Sequence, residues 1–187
     1  MIDKKIASNS RLGFIGLGYL GSRIARRLVA AGFPMVVHDR DREKAKELAA
    51  FGAEVAPNAQ ALVEDVDVVM SCLTNDAAVQ AVYLGADELL ENVRPSTRIV
   101  ELSTIAPETS RQVHDAAAKF DIAMLDVAVS GSTAAAEAGA LTLFGGGERG
   151  NFEAVQPIFA PIAKQWFYMG PSGSGVAMKL VVNTGFA

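Results

Sequence analysis

The sequence has few of the features that mark secreted, membrane-bound or nucleic-acid-binding chains. Its single cysteine, Cys72, excludes a disulfide framework and suits a reducing compartment, so we expect a cytoplasmic protein. No stretch reaches the ~18 apolar residues of a membrane span, and residues 1–10 are polar, without the apolar core of a signal peptide. The 17 basic residues are scattered and the formal net charge is −4, so neither a membrane nor a nucleic acid is an expected partner.

Short apolar runs alternate with stretches of helical periodicity along the 187 residues, half of which are hydrophobic. The apolar runs predict strands at 12–15, 35–38, 54–55, 66–73, 98–102, 123–129, 141–144 (hairpin-like) and 165–169. The helical patterns predict helices at 18–31, 41–51, 57–64, 75–83, 107–120 and 152–162. Because the strands are almost continuously apolar and alternate with helices, we expect an α/β fold with a doubly wound, mostly parallel sheet.

A glycine-rich turn follows the first predicted strand and opens an amphipathic helix. It has the pattern GxGxxG, in the order Gly16, Leu17, Gly18, Tyr19, Leu20 and Gly21. In this context the first glycine permits a tight turn, the second lets the backbone approach a pyrophosphate, and the third lets helix and strand pack closely. The helix N-terminus adds free N–H groups and a partial positive charge. The segment therefore predicts a Rossmann-like site for a dinucleotide, with a plain βα turn as the alternative.

The end of the second predicted strand bears on the choice between NAD and NADP. Asp39 stands 18 residues after Gly21, where an acidic residue binds the adenosine ribose hydroxyls of NAD and repels a 2′-phosphate. Arg40 follows directly and could hold that phosphate or stack on adenine. We expect NAD or NADP, with NAD slightly favoured.

Four segments, in order along the chain, match the motifs of a known enzyme family. They are GFIGLGYLG at 13–21, ELSTIAP at 101–107, DVAVSGS at 126–132 and GPSGSGVAMKLVVN at 170–183. The chain thereby resembles the β-hydroxyacid dehydrogenases, which include 3-hydroxyisobutyrate dehydrogenase, tartronate semialdehyde reductase and glyoxylate or succinic semialdehyde reductases. Leu20, Ala128 and Ser132 stand where that family usually has Met, Pro and Gly.

The resemblance implies an NAD(P)-dependent oxidoreductase that moves a hydride between nicotinamide and a small β-hydroxyacid or its semialdehyde. Lys179 is then the general acid or base, and Asn183, one helical turn later, binds the substrate. The resemblance also implies a carboxylate-binding loop and further contacts to the cofactor. The loop consists of Ser130, Gly131 and Ser132, and the cofactor contacts are Leu73 and Thr104. No metal site is expected.

Composition and the resemblance together predict how the chain is organised. The polar residues 1–10 are expected to form a leader, and the resemblance implies an NAD(P)-binding domain at 11–170 and the start of an interdomain helix at 171–187. The family continues into an all-helical domain, so we expect a truncated chain that turns over poorly and a homo-oligomeric full-length protein. An imine reductase-like enzyme and a non-catalytic nucleotide-binding scaffold are the alternative functions.

Overall fold

The computed structural model describes residues 6–85 and 89–185, and the strands of this part of the chain form one sheet. The strands are β1 (Leu12–Ile15), β2 (Met35–His38), β3 (Glu54–Val55), β4 (Val68–Ser71), β5 (Arg98–Glu101), β6 (Ala123–Ser130), β7 (Leu141–Gly146) and β8 (Ala163–Gly170). The helices are α1 (Gly21–Ala30), α2 (Arg42–Ala49), α3 (Ala59–Val63), α4 (Asp76–Tyr83), α5 (Leu89–Asn92), α6 (Pro107–Ala118), α7 (Thr133–Glu137), α8 (Arg149–Phe159) and α9 (Ser174–Thr184).

The sheet has the strand order β3-β2-β1-β4-β5-β6-β7-β8. Strands β1 to β6 run parallel, β7 is antiparallel to β6, and β8 is parallel to β7. All residues of β1, β4 and β5 are buried, as expected for central strands covered by helices on both faces. The predicted doubly wound α/β fold is thus confirmed. Strands are added on one side of β1 up to β3 and on the other side from β4 onward, and such sheets bind ligands at this point of reversal.

Several element boundaries differ from the sequence prediction. The first helix begins at Gly21 instead of residue 18, because residues 18–20 belong to the glycine loop. Helix α5 was not predicted, since its four residues are too few to show helical periodicity. The strand predicted to be hairpin-like does pair antiparallel with β6, but α7 stands between the two strands.

Two hydrophobic clusters occupy the two faces of the sheet. Ile24 and Leu28, one turn apart on α1, are fully buried in the first cluster, and burying such a side chain contributes roughly 1.5–3 kcal/mol. The guanidinium of Arg27 on the same helix donates to the carbonyl oxygens of Pro161 at 2.5 Å and Glu137 at 2.9 Å. These bonds fasten α1 to the segments that follow β6.

The segment before β1 also contributes to the core. Residues 1–5 of the predicted polar leader lie outside the described residues. Ile6 is 4% exposed and packs in the first cluster, so the part next to β1 is anchored by an apolar contact that its polar composition did not predict. In the part of the chain that the structure describes, no helix combines the length and hydrophobicity that crossing a bilayer requires.

Candidate functional site

One register row of polar residues crosses the carboxyl end of the parallel sheet. His38 of β2 pairs with Ile15 of β1, which pairs with Ser71 of β4, then Glu101 of β5 and Asp126 of β6. Polar side chains so aligned were not predicted, because the register between strands distant in sequence is set only by their pairing. The loops that follow this row lie where open α/β sheets bind their ligands.

The glycine loop has the geometry that its sequence predicts. Gly16 has φ +93°, and a Cβ there would overlap the carbonyl oxygen of Cys72. A Cβ on Gly21 would overlap the carbonyl oxygen of Gly16, so this residue lets α1 lie against the turn. Gly18 is different, since a Cβ there would meet no heavy atom within 4 Å. The space beside Gly18 is open to a ligand that approaches the backbone.

A cavity of about 330 Å³ adjoins this loop. Five predicted cofactor-binding residues line it: Gly16, Gly18, Asp39, Arg40 and Leu73. The cavity has further polar lining residues for which no role was predicted: His38, Lys44, Asn58, Gln60, Cys72 and Thr74. One wall is apolar and comes from Ala78, Ala81, Val82 and Leu89. A cavity with both apolar and polar lining residues suits an adenosine moiety.

Asp39 connects the end of β2 to the glycine loop. Its Oδ2 accepts a hydrogen bond from the Leu17 N–H at 2.7 Å, and its Oδ1 accepts one from the Asp41 N–H at 2.8 Å. Each oxygen keeps a lone pair that can accept from a ribose hydroxyl. Arg40 and Lys44 bring two positive charges to the same cavity, and Lys44 lies 3.8 Å from the carboxylate of Asp41.

The predicted cofactor residues Tyr19, Leu20 and Thr104 do not line this cavity. The side chain of Tyr19 is 86% exposed, whereas Leu20 is half-buried against the core. Thr104 is exposed in the loop after β5.

The N-cap residue of α1, Leu20, makes no side-chain hydrogen bond, and the N–H groups of Ser22 and Arg23 donate to the carbonyl oxygens of Gly18 and Leu20. The partial positive charge of the helix N-terminus favours an anion. This loop, the cavity and the uncapped helix fit the phosphates and adenosine of a dinucleotide.

Lys179 and Ser130 meet although 49 residues separate them. The Lys179 Nζ on α9 donates to the Ser130 Oγ at the end of β6, with a distance of 3.2 Å. Partial burial disfavours the ammonium form and lowers the pKa of Lys179. Such an amine, hydrogen-bonded at the carboxyl end of β6, can give or take a proton.

Asp126 fixes the start of the helix that carries Lys179. Its Oδ1 accepts from the Gly173 N–H at 2.8 Å and its Oδ2 from the Val176 N–H at 3.0 Å. Burial raises the pKa of Asp126, and these backbone hydrogen bonds oppose that rise. Asp126 begins one of the family motifs, but its contact with α9 was not predicted, because it depends on α9 folding back over β6.

The remaining predicted substrate residues are near β6 or on α9, but the structure does not bring all of them to Lys179. Ser132 is exposed, and its Oγ accepts from the Ala135 N–H at 3.2 Å, which caps α7. Gly131 has φ +145° in the turn between Ser130 and that cap. Asn183 is exposed one turn beyond Lys179. Their roles toward a substrate stay predictions.

The Lys179 contact and the glycine loop lie apart along the sheet. Strand β6 is three positions from β1 in the strand order, which corresponds to about 14 Å at the usual spacing. A molecule bound at the glycine loop must therefore extend across β4 and β5 to reach Lys179. Among the described residues, no three His, Cys, Asp or Glu side chains cluster in a way that could hold a metal ion.

Known proteins match both the sequence and the structure. Residues 11–170 match the family model of the NAD binding domain of 6-phosphogluconate dehydrogenase. The NAD-dependent L-serine dehydrogenase of Pseudomonas aeruginosa is 39% identical over 173 residues, which are 92% of this chain and 58% of that protein. The 3-hydroxyisobutyrate dehydrogenase of the same organism is 35% identical over 172 residues, again 92% of this chain and 58% of the relative.

Solved structures agree with this relationship. The 3-hydroxyisobutyrate dehydrogenase of Mycobacterium tuberculosis with L-serine has a TM-score of 0.91 at 30% identity, covering 95% of this chain and 60% of that one. Psf3 in complex with NADP+ and 2-OPP has a TM-score of 0.89 at 35% identity, and the match covers 93% of this chain and 62% of that one. An imine reductase from Myxococcus stipitatus has a TM-score of 0.88 at 19% identity, and the match covers 95% of this chain and 61% of that one. At this identity the likeness shows a shared fold alone.

These relatives are longer than the chain. The chain spans 58% of the length of each of the two Pseudomonas aeruginosa dehydrogenases and 62% of the length of Psf3. The matched region nevertheless covers both the glycine loop and β6. The chain therefore belongs to the family of NAD-binding domains of the 6-phosphogluconate dehydrogenase type, and its relatives are β-hydroxyacid dehydrogenases like 3-hydroxyisobutyrate dehydrogenase.

Proposed function

We propose that the chain is the cofactor-binding part of an NAD(P)-dependent dehydrogenase that acts on a small β-hydroxyacid or its semialdehyde. The observation that carries this proposal is the Lys179–Ser130 hydrogen bond at the ligand-binding edge of an NAD-binding sheet. Alcohol oxidation by nicotinamide requires a group that takes the hydroxyl proton, and the amine of Lys179 can supply it there. A scaffold that only binds nucleotide has no need for it.

In this proposal the nicotinamide cofactor accepts or supplies the hydride. Lys179 as an ammonium donates a proton to the substrate carbonyl oxygen during reduction, and as a neutral amine it takes the hydroxyl proton during oxidation. Its lowered pKa makes both forms more evenly accessible. Ser130 orients the amine, while the Gly131 and Ser132 loop receives the substrate carboxylate and Asn183 donates a further hydrogen bond to the substrate.

The cofactor is NAD or NADP, and the cavity contains groups suited to each. Asp39 retains acceptor capacity for the ribose hydroxyls and disfavours a 2′-phosphate, which supports NAD. Arg40 and Lys44 line the same cavity and support NADP. We propose NAD as the preferred cofactor, because Asp39 is held in place by the glycine loop itself.

A titration of the chain with NADH and, separately, NADPH tests the nucleotide site. We expect saturable binding followed by nicotinamide fluorescence, with NADH tighter than NADPH, and weakened NADH binding in Asp39→Ala. Tighter NADPH binding, lost in Arg40→Ala, would instead assign the ribose end to Arg40. Binding of neither nucleotide at millimolar concentration would contradict the proposed function.

A substrate panel tests the reaction. L-serine and 3-hydroxyisobutyrate, which appear in the names of the relatives, both carry a primary alcohol one carbon away from the carbon bearing the carboxylate. We expect NAD(P)-dependent oxidation of at least one of them, assayed on the chain at high protein concentration and on any longer product of the same gene. Reduction of a cyclic imine without oxidation of either hydroxyacid would favour the imine reductase alternative.

A further inference from the structure

A chain of hydrogen bonds lies buried beneath the cofactor cavity, between the loops that follow β4 and β5. The Tyr83 hydroxyl lies 2.6 Å from the Ser71 Oγ, which in turn donates to Glu101. The Glu101 Oε1 accepts from the Ser103 N–H at 2.7 Å. The Ser103 Oγ accepts from the Leu73 N–H, also at 2.7 Å. One carboxylate therefore joins residues from both loops.

These two loops border the proposed dinucleotide site. Leu73 and Thr74, which follow β4, line the cavity. Thr104, which follows Ser103, is a predicted cofactor contact. Leu73 lines the cavity, and its N–H donates to the Ser103 Oγ. The position of this part of the lining therefore depends on how Glu101 holds Ser103.

Glu101 is a costly residue to place there for stability alone. It is fully buried, and burial raises the pKa of Glu101 to about 7. Asp126 on β6 adds like-charge repulsion, while the Tyr83 hydroxyl and the Cys72 thiol, whose pKa values are also raised by burial, offer no positive charge. An apolar side chain of similar size in such a place is often neutral or stabilising.

We propose that Glu101 is a positioning residue for the dinucleotide, holding Ser103 directly and the Leu73 amide through the Ser103 hydroxyl, so that the two loops keep the cavity in its binding shape. This inference rests on the proposed function. Glu101 does not line the cavity, so it acts through the loops and not by contact with the cofactor.

Three variants separate positioning from packing. Glu101→Met keeps the bulk but removes every acceptor, whereas Glu101→Gln keeps an acceptor for the Ser103 N–H and can donate to the Ser71 Oγ. Ser103→Ala keeps Glu101 but removes the acceptor of the Leu73 N–H, and it serves if the methionine variant does not fold. Tyr83→Phe is the control, because its hydroxyl is at the far end of the chain of bonds and touches neither loop backbone.

We expect Glu101→Met and Ser103→Ala to bind NADH and NADPH three- to tenfold more weakly than the wild type, with an unchanged or higher melting temperature for Glu101→Met. Glu101→Gln should restore binding to within about twofold of the wild type, as should Tyr83→Phe. Hydrogen exchange without nucleotide should show a Leu73 amide that exchanges at least tenfold faster in Glu101→Met and Ser103→Ala, with the mid-strand Val69 amide unchanged.

The inference is overturned if Ser103→Ala binds like the wild type with an equally protected Leu73 amide, or if Tyr83→Phe weakens binding as much as Glu101→Met. A wild-type chain that binds neither nucleotide overturns the proposed function instead. The exchange measurement is made on the free protein, so it still decides in that case whether Glu101 holds the two loops.

Discussion

Lys179 shows how one contact changes the meaning of a residue. Most lysines are solvated surface groups, and spacing alone gives Lys179 no special status. The structure half-buries it, lowers its pKa and directs its Nζ to the Ser130 hydroxyl. Lys164 on β8 has no such surroundings and is exposed. The two lysines therefore form a matched pair for mutation.

At the residue scale, we predict that Lys179→Met lowers turnover by roughly 10²–10⁴-fold while nucleotide affinity stays within about twofold. Oxidation needs the neutral amine, so wild-type kcat/KM for oxidation should rise with pH, with a midpoint below the ordinary lysine pKa of 10.5. The reductive rate should fall over the same range. Steady-state kinetics against pH measure both. Equal losses in Lys179→Met and Lys164→Met would contradict the role of Lys179.

Helix α9 shows how an element is placed by a few backbone contacts. Asp126 holds its first turn through two N–H groups, and Gly175 lets that turn approach β6 and β7. A Cβ on Gly175 would overlap the carbonyl oxygen of Phe144 and lie 2.7 Å from that of Asp126. The glycine is therefore required by close packing, since its φ is not in the left-handed region. Lys179 lies one turn after Gly175 on α9, so a shift of the first turn would also move Lys179.

At the element scale, we predict that Gly175→Ala destabilises the chain by about 1–3 kcal/mol, because α9 must move outward. It should also lower turnover, since Lys179 moves with the helix. Gly150→Ala on α8 is the control, as a Cβ there meets nothing within 4 Å and alanine favours helix by up to ~1 kcal/mol. Urea unfolding and steady-state assays measure the two effects. An unchanged or more stable Gly175→Ala would show that α9 is not held as described.

The whole molecule carries buried acids whose titration links stability to pH. The pKa of Glu101 rises to about 7 in the folded chain, and that of Asp126 is raised as well. The folded state therefore holds these protons more tightly than the unfolded state does. For Glu101 the resulting penalty is absent below its ordinary pKa of 4.5 and complete above about pH 7. Asp76 acts in the opposite sense only at lower pH, because hydrogen bonds from Thr109 and Ala106 lower its pKa.

For the whole chain, we predict that the free energy of unfolding falls between about pH 4.5 and pH 7, with Glu101 contributing up to roughly 3 kcal/mol. Glu101→Gln should remove that part and leave a flatter profile. Urea unfolding followed by the single tryptophan, Trp166, measures both proteins across this range. Parallel profiles for the two proteins would show that Glu101 does not titrate as its burial implies.

Local signals in the sequence predicted most of the strands and helices and the chemistry that they could support. Strands β2 and β3 and the start of α6 were predicted at their observed boundaries, because apolar runs and a proline at the first helical position are local signals. Gly16 and Gly21 were likewise assigned correctly to a tight turn and a close helix approach, since both requirements arise within one βα unit. The family resemblance located Lys179 and Ser130 in separate motifs.

Which residues from distant parts of the chain come into contact follows from the three-dimensional packing and not from local sequence signals. The register that aligns Ser71, Glu101 and Asp126, and the return of α9 over β6, depend on pairings between segments far apart in the chain. A local pattern cannot encode these pairings, because they result from burying all the helices and strands around one sheet. That packing lets Asp126 hold the first turn of α9, brings Lys44 to the cavity beside the glycine loop and encloses Glu101 between two loops.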